Sequence, residues 1–580
     1  MENRTLTGYP SIDKPWLKYY TEEDLSIQVP KCTVYQNIYS RNKDYSEDVA
    51  VQYYGNKIRY KTLFACVEVC AKALRQIGIQ PGQCVTLCTA GVPEAIYLVL
   101  ACSRIGAIAN FINPLFTKEQ MVDRINETEA KWMFVLDAMY PYIEAALPET
   151  CVENVVIVPA TNSIPPVLSK LMYIKGEAKK IVRQGNGTQY FLRWKDFCAF
   201  SHDFAGSPDV SYQPDTPTVM VYSSGSTGAS KGILLTNDGI NATIANYDMS
   251  YMPQQRERAF LQMIPVWFST GIVYSILMPL AKGFTVIPEP KFSKETFLHD
   301  LKKYKPAKTI TATSLWLYVA ASGAKIDLSG MEFPITGGEK IRPKDEESIA
   351  EYLQRNGCRK KFYKGYGMCE LGSVISGTTD MAAYQDKRGG CGYPMWGITV
   401  SAFDIVTGKE LPYGQHGEIR VLSPARMKGY YKNPEATAAF FTEDEQGNVW
   451  GCTGDIGYVD EDGEVFVLGR AADSCLLENG ELVYLFDIEA EILKNEAINQ
   501  CKVVDVEENG MKKLVAHLVL QENVENRENV ISSIWNDLRK TLPPYMVPDY
   551  YKIRSFMPVH ANGKRDVGIL RQDKLDLVKL

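Results

Sequence analysis

The sequence predicts an α/β fold that gives way, late in the chain, to a small β-rich subdomain and then to a compact α+β C-terminal domain. Three observations carry this reading. Helix-like and strand-like segments alternate through the N-terminal half, which is the pattern of a parallel sheet covered by helices. From about Gly389 the texture changes to short strands punctuated by glycine, proline and turn residues, running to Gly469. Beyond Arg470 come an amphipathic helix, a strand pair and a second helix.

Element by element, Tyr60–Ile77 carries apolar residues at helical spacing and ends in the turn GIQPGQ. Cys84–Thr89 reads as a short apolar strand and Pro93–Ile105 as a helix, while the basic stretch Ser163–Lys195 reads as a surface loop. The alternation resumes through Gly239–Met249, Gly271–Leu280, Phe284–Pro288 and Lys294–Tyr304. In the β-rich region, VDEDGEVFVLG (Val459–Gly469) predicts a hairpin closed at Asp462-Gly463. The last domain should hold helices over Phe486–Asn495 and Glu528–Leu542, flanking strands around Gln500–Gln521.

At 580 residues the chain exceeds one ordinary domain. Composition is that of a soluble globular protein, 45% hydrophobic and 23% charged, and the net charge of -6 gives no reason to expect nucleic-acid binding. Fourteen cysteines without a CxxC pair, and a polar N-terminus without an apolar core, predict free thiols in the cytoplasm. The longest apolar stretches carry Arg104 and Lys282, so no integral membrane association is expected.

The most informative segment is YSSGSTGASKG, Tyr222–Gly232. Apolar runs enter and leave it, so it is a loop clamped between strands. Its glycines free backbone N–H groups to face an anion, its hydroxyls add donors or a metal ligand, and Lys231 adds a point charge. The Walker pattern does not fit. Counted from Gly225, its second glycine would fall on Ser230, and Gly232 stands where a hydroxyl residue should follow Lys231.

Five further segments follow in order: TGGEKI (Thr336–Ile341), YKGYGMCELG (Tyr363–Gly372), TGD (Thr453–Asp455), the Gly469-Arg470 pair and NGKRD (Asn562–Asp566). With the Ser/Gly loop, the chain resembles the adenylate-forming superfamily of acyl-CoA synthetases, peptide-synthetase adenylation domains and luciferases. The resemblance covers essentially the whole chain. It implies an N-terminal domain over residues 1–472 with two helix-covered sheets and the β-rich subdomain about 389–469, followed by a mobile C-terminal domain over 473–580.

It also implies an AMP-forming acid–thiol ligase. ATP activates a carboxylic acid to an acyl-adenylate with release of pyrophosphate, and the thiol of CoA then takes the acyl group. The alternative acceptor is the phosphopantetheine of a separate acyl carrier protein. A second alternative is a non-catalytic nucleotide-binding relative.

By resemblance, Ser223, Ser224, Gly225, Ser226, Gly228 and Lys231 wrap the phosphates, with Thr227 and Glu370 at Mg²⁺. Tyr366 stacks on adenine, with Gly338, Glu339 and Gly367 alongside. Asp455 accepts from the ribose hydroxyls and Arg470 supports them. Lys564 reaches the α-phosphate, and Asp473 is the hinge. Cys369 stands where the family has a hydroxyl donor for the α-phosphate, and a thiol donates more weakly. Trp267, Phe268, Ile272, Ser314, Trp316, Gly337 and Gly367 are expected to line the acid pocket. Phe268 stands where amino-acid-activating domains carry an aspartate for the substrate ammonium, so a fatty or aryl acid is favoured over an α-amino acid.

Overall fold

The computed structural model describes residues 6–174, 189–223, 230–250, 252, 256–339, 341–380, 387–477, 482–508, 510–522, 524, 527–558 and 566–580. Among these described residues the chain builds two large sheets, a smaller five-stranded sheet, a two-stranded ribbon and a four-stranded C-terminal sheet.

The first sheet has nine strands in the spatial order Tyr393–Pro394, Ser376–Gly377, Tyr363–Tyr366, Phe333–Gly337, Lys308–Thr311, Ala259–Gln262, Thr285–Pro288, Val49–Tyr53 and Asn56–Arg59. The six central strands are parallel and the outer ones antiparallel. The second sheet has eight, in the order Gly429–Tyr430, Gly232–Thr236, Pro217–Tyr222, Ile108–Phe111, Cys84–Cys88, Trp132–Leu136, Asn154–Val158 and Tyr190–Arg193. Its strands are parallel from Pro217–Tyr222 to the Tyr190 edge. Strands such as Cys84–Cys88 are buried at every position, as a parallel sheet covered on both faces requires.

The helix Pro93–Ile105 shows why the two sheets act as one body. Proline opens it, Gly106 closes it with φ of 74°, and every residue in it but Arg104 is buried. A helix buried around almost its whole circumference belongs inside a core. That core is continuous, taking Val51, Phe260 and Val286 from the first sheet and Val85, Phe111 and Val221 from the second.

Two expectations change. The stretch Ser163–Lys195 is not simply a loop. It holds the helix Pro166–Ile174, whose Leu168 and Met172 pack on the core, and the strand Tyr190–Arg193, which pairs with Asn154–Val158 as a sheet edge. The apolar face was there to read, but the surrounding lysines and glycines obscured it. The segment after Phe268 opens as a π-helix, Thr270–Leu277, before one α-helical turn, Met278–Ala281. The Ser275 hydroxyl bonds the Thr270 carbonyl at 2.7 Å inside that wider helix.

The five-stranded sheet contains Thr399–Phe403, Gly417–Leu422, Val449–Val459, Phe441–Glu443 and Val465–Arg470. Val459 faces Val465 across the expected hairpin. In the C-terminal region, Ile498–Glu508 and Met511–Leu520 pair antiparallel, and Tyr550–Arg554 lies parallel to the second of them. The helices Leu485–Ile492 and Arg527–Thr541 supply Ile488, Ile534 and Leu538 to a separate core with Val503 and Leu514.

Candidate active site

Strand ends from three sheets supply the site. In the second sheet, Pro217–Tyr222 delivers Ser223 and Gly232–Thr236 follows Lys231. The two loop ends are tied twice. The Ser223 N–H donates to the Lys231 carbonyl at 3.0 Å, and the Lys231 N–H donates to Ser223 Oγ at 3.0 Å. Residues 224–229, with the predicted Ser224, Gly225, Ser226, Thr227 and Gly228, lie outside the described residues, as does Lys564.

In the first sheet, Tyr363–Tyr366 runs into the turn that carries Gly367, Cys369 and Glu370. A Cβ on Gly367 would sit 1.7 Å from the Ser373 carbonyl oxygen, so this turn closes only with glycine there. Glu370 is buried. Its Oε1 accepts the Tyr430 hydroxyl at 3.0 Å, and burial raises its carboxyl above the usual range against the opposing pull of Tyr430 and Lys231. The Lys231 ammonium rests 4.9 Å from the centroid of the Tyr430 ring.

The neighbouring strand Phe333–Gly337 ends at Gly337, Gly338 and Glu339, and the Glu339 carboxylate accepts the Thr313 N–H at 2.9 Å, capping the helix Thr313–Ala321.

From the five-stranded sheet come Asp455 and Arg470, which face each other across the hairpin. Asp455 Oδ2 accepts the Tyr366 hydroxyl at 2.6 Å, and Oδ1 pairs with Arg470 Nε at 3.0 Å. Burial and the Asp455 charge hold the Tyr366 phenol well above its ordinary value, so it stays a donor. Half of the Arg470 side chain remains exposed while the Asp455 side chain is 10% exposed, an arrangement that presents a carboxylate and a guanidinium side by side at the rim.

The pocket residues divide. Phe268 and Trp267 are half-buried, their ring centroids 6.4 Å apart, and the buried Trp267 indole N–H has no acceptor among the described residues. Ser314 is exposed. Trp316 is fully buried between Phe297 and Phe362, and its indole donates to the Ile335 carbonyl at 3.0 Å. Ile272 is likewise fully buried in the main core. A tryptophan one turn into a helix looks the same in sequence whether it faces a pocket or a core.

Asp473 closes the short 3₁₀ turn Ala471–Asp473 after the hairpin. Its carboxylate pairs with Lys502 Nζ at 2.9 Å, and Lys502 also pairs with Glu489 at 3.1 Å.

Tyr430 was missed at the level of sequence. It lies sixty residues from Glu370, in a Gly-Tyr-Tyr run that carries no charge and fits no helical or strand period, so only the folded chain shows the contact.

Among the described residues no group of three or more His, Cys, Asp or Glu side chains could hold a metal ion. The buried Glu370 carboxylate offers hard oxygens near the described Lys231, a donor type that suits Mg²⁺, which keeps waters and takes substrate phosphates as ligands instead of a protein cage.

Known proteins resemble this chain over most of its length. The AMP-binding enzyme family matches residues 39–431, and the AMP-binding enzyme C-terminal domain matches residues 487–564. The 4-coumarate–CoA ligase 2 of Nicotiana tabacum is 27% identical over 87% of this chain and 86% of its own. The long-chain-fatty-acid–CoA ligase of Bacillus subtilis is 24% identical over 97% and 98%. Among solved structures, the anthranilate CoA ligase AuaEII in complex with anthranoyl-AMP superposes with a TM-score of 0.74 at 18% identity, covering 95% of this chain and 98% of its own. ATP-bound MatB from Rhodopseudomonas palustris gives 0.76 at 21% identity, covering 93% and 99%, so both share the fold. The chain belongs to the AMP-binding enzyme family.

Proposed function

We propose that this chain is an ATP-dependent, AMP-forming acid–CoA ligase acting on a fatty or aryl acid. The observation that carries the reading is the Tyr366–Asp455–Arg470 cluster, which joins a strand end of the first sheet to the hairpin of the five-stranded sheet. An aromatic ring beside a carboxylate with two acceptor oxygens suits an adenine and its ribose diol. Curated relatives named for 4-coumarate and long-chain fatty acids support the acid class, and the apolar Phe268 disfavours a substrate ammonium.

In this reading Tyr366 packs against the base and Asp455 accepts from the ribose hydroxyls. Ser223 and Lys231 hold the end of the polyphosphate away from the ribose, and Glu370 with Thr227 would hold Mg²⁺, which neutralises phosphate charge when bound. A substrate carboxylate oxygen attacks the α-phosphorus, and the bond to the pyrophosphate oxygen breaks. Lys564 stabilises the charge that develops there. The thiolate of CoA then attacks the acyl carbon, AMP leaves with the bonding electron pair, and the thiol proton goes to solvent. Asp473 is the hinge about which the C-terminal domain turns between the two steps.

The test is carboxylate-dependent exchange of labelled pyrophosphate into ATP over fatty, aryl and amino acids, followed by product analysis with CoA. Exchange with a fatty or aryl acid and formation of its CoA thioester are expected. Exchange without thioester would favour a carrier-protein acceptor. Exchange with amino acids alone would overturn the acid assignment, and ATP binding without exchange would favour the non-catalytic reading.

A further inference from the structure

The two charged groups assigned to the phosphates and Mg²⁺ arrive from different sheets, Lys231 from the second and Glu370 from the first. A direct ion pair between them would cancel both charges where each is needed. They do not form one. Tyr430 lies between them, with its hydroxyl on Glu370 Oε1 at 3.0 Å and its ring under the Lys231 ammonium at 4.9 Å.

The backbone around Tyr430 is tied to both sides. Its strand Gly429–Tyr430 pairs with Gly232–Thr236, placing Tyr430 opposite Ile233. The Tyr431 N–H donates to the Gly232 carbonyl at 2.7 Å, and the Met427 N–H donates to the Glu370 carbonyl at 2.7 Å. Thr437 fixes the third side, its hydroxyl accepting the Tyr430 N–H at 2.9 Å, and Phe440 packs edge-on at 6.1 Å. Residues 427–431 therefore stitch the exit of the phosphate loop to the turn that carries the carboxylate.

We propose that Tyr430 is a positioning residue that keeps Glu370 and Lys231 apart and aimed, so that one side chain sets both the metal carboxylate and the phosphate cation. This rests on the ATP-dependent reading above. It separates two functions within one residue. The hydroxyl orients Glu370, and the ring supports Lys231.

Two variants divide these roles. Tyr430→Phe keeps the ring and removes one oxygen, while Tyr430→Leu removes both supports. Calorimetric binding of ATP is measured with Mg²⁺ and again in EDTA, and the free Mg²⁺ needed for half-maximal pyrophosphate exchange is measured alongside. Tyr430→Phe is expected to weaken Mg²⁺-ATP binding about tenfold, as loss of a hydrogen bond to a charged group does, and to raise the Mg²⁺ requirement. Its binding of ATP in EDTA should stay within about twofold of wild type. Tyr430→Leu should also weaken metal-free ATP several-fold, since Lys231 loses its ring.

Equal binding by Tyr430→Phe and wild type in both conditions would overturn the proposal, as would an equal loss with and without Mg²⁺. Should Tyr430→Leu fail to fold, Tyr430→Phe alone decides. Wild type that binds no ATP would instead overturn the functional reading on which the proposal rests.

Discussion

Asp455 shows how much a single side chain holds in this site: it accepts from Tyr366 on one oxygen and pairs with Arg470 on the other. Asp455→Asn keeps the shape but removes the charge that pairs with Arg470. Hydrogen bonds to charged groups are worth about 1.5–3 kcal/mol, so ATP affinity measured by calorimetry should fall roughly 10- to 100-fold. Lys308 presents a different case, a buried ammonium at 2% exposure with Phe333 at 3.9 Å and Phe284 at 4.9 Å from ring centroid to Nζ. Burial pushes it down to about 7 from an ordinary 10.5, so between those values the unfolded chain binds more protons than the folded one. Stability therefore rises with pH from about 7 toward 10.5, and the full penalty applies below pH 7. Lys308→Met should add roughly 2–4 kcal/mol of stability at pH 6–7, seen as a higher melting temperature, with the gain shrinking toward pH 10. Distinctive neighbours and order single out Asp455, Arg470 and Glu370 in the sequence, and the fold carries Glu370 on a turn after a strand of the first sheet and Asp455 and Arg470 on paired strands of the five-stranded sheet. The settings of Tyr430 and Lys308 could not be read that way, because whether an aromatic or a lysine faces core, pocket or partner depends on residues far away in the chain.

At the scale of elements, helix and strand placement was readable where caps and period agreed. The helix Pro93–Ile105 begins at its proline and ends before its glycine. The π-helix Thr270–Leu277 left no such mark, since its apolar residues satisfy an α-helical period equally well. Gly271 carries the remaining clue. A Cβ there would lie 2.0 Å from the Pro265 carbonyl oxygen, so the chain folds back on itself just after Trp267 and Phe268. The elements around Asp473 are joined by charge. Lys502, 7% exposed in its side chain, lies between Asp473 of the 3₁₀ turn and Glu489 of the helix Leu485–Ile492. Lys502→Met leaves two carboxylates without their cation and should destabilise the C-terminal region by about 3–5 kcal/mol in chemical unfolding. Adding Glu489→Gln should recover part of that loss, because one buried charge is then removed. Burial already raises the Glu489 carboxyl against the pull of Lys502.

Taken whole, the molecule divides its chemistry between regions. Lys564→Ala should lower carboxylate-dependent pyrophosphate exchange by roughly 10²–10³, the loss expected for one charge-stabilising donor, while calorimetric ATP binding stays close to wild type. The division has a thermal counterpart. Both large sheets feed one core, from Val51 and Phe260 to Val85 and Val221, whereas Ile488, Val503, Leu514 and Ile534 form another. The C-terminal core is built from that region's own strands and helices, so it should melt as a separate unit. A scanning calorimeter should record a large endotherm for the paired sheets and a smaller one for the C-terminal region, the latter near the ~60–80 kcal/mol expected of a domain of about 100 residues. Nucleotide bound as proposed, at Tyr366, Asp455 and Lys231, should raise the larger transition first. A molecule built this way should lose its C-terminal region to heat first, while the paired sheets and the proposed nucleotide site on them stay folded.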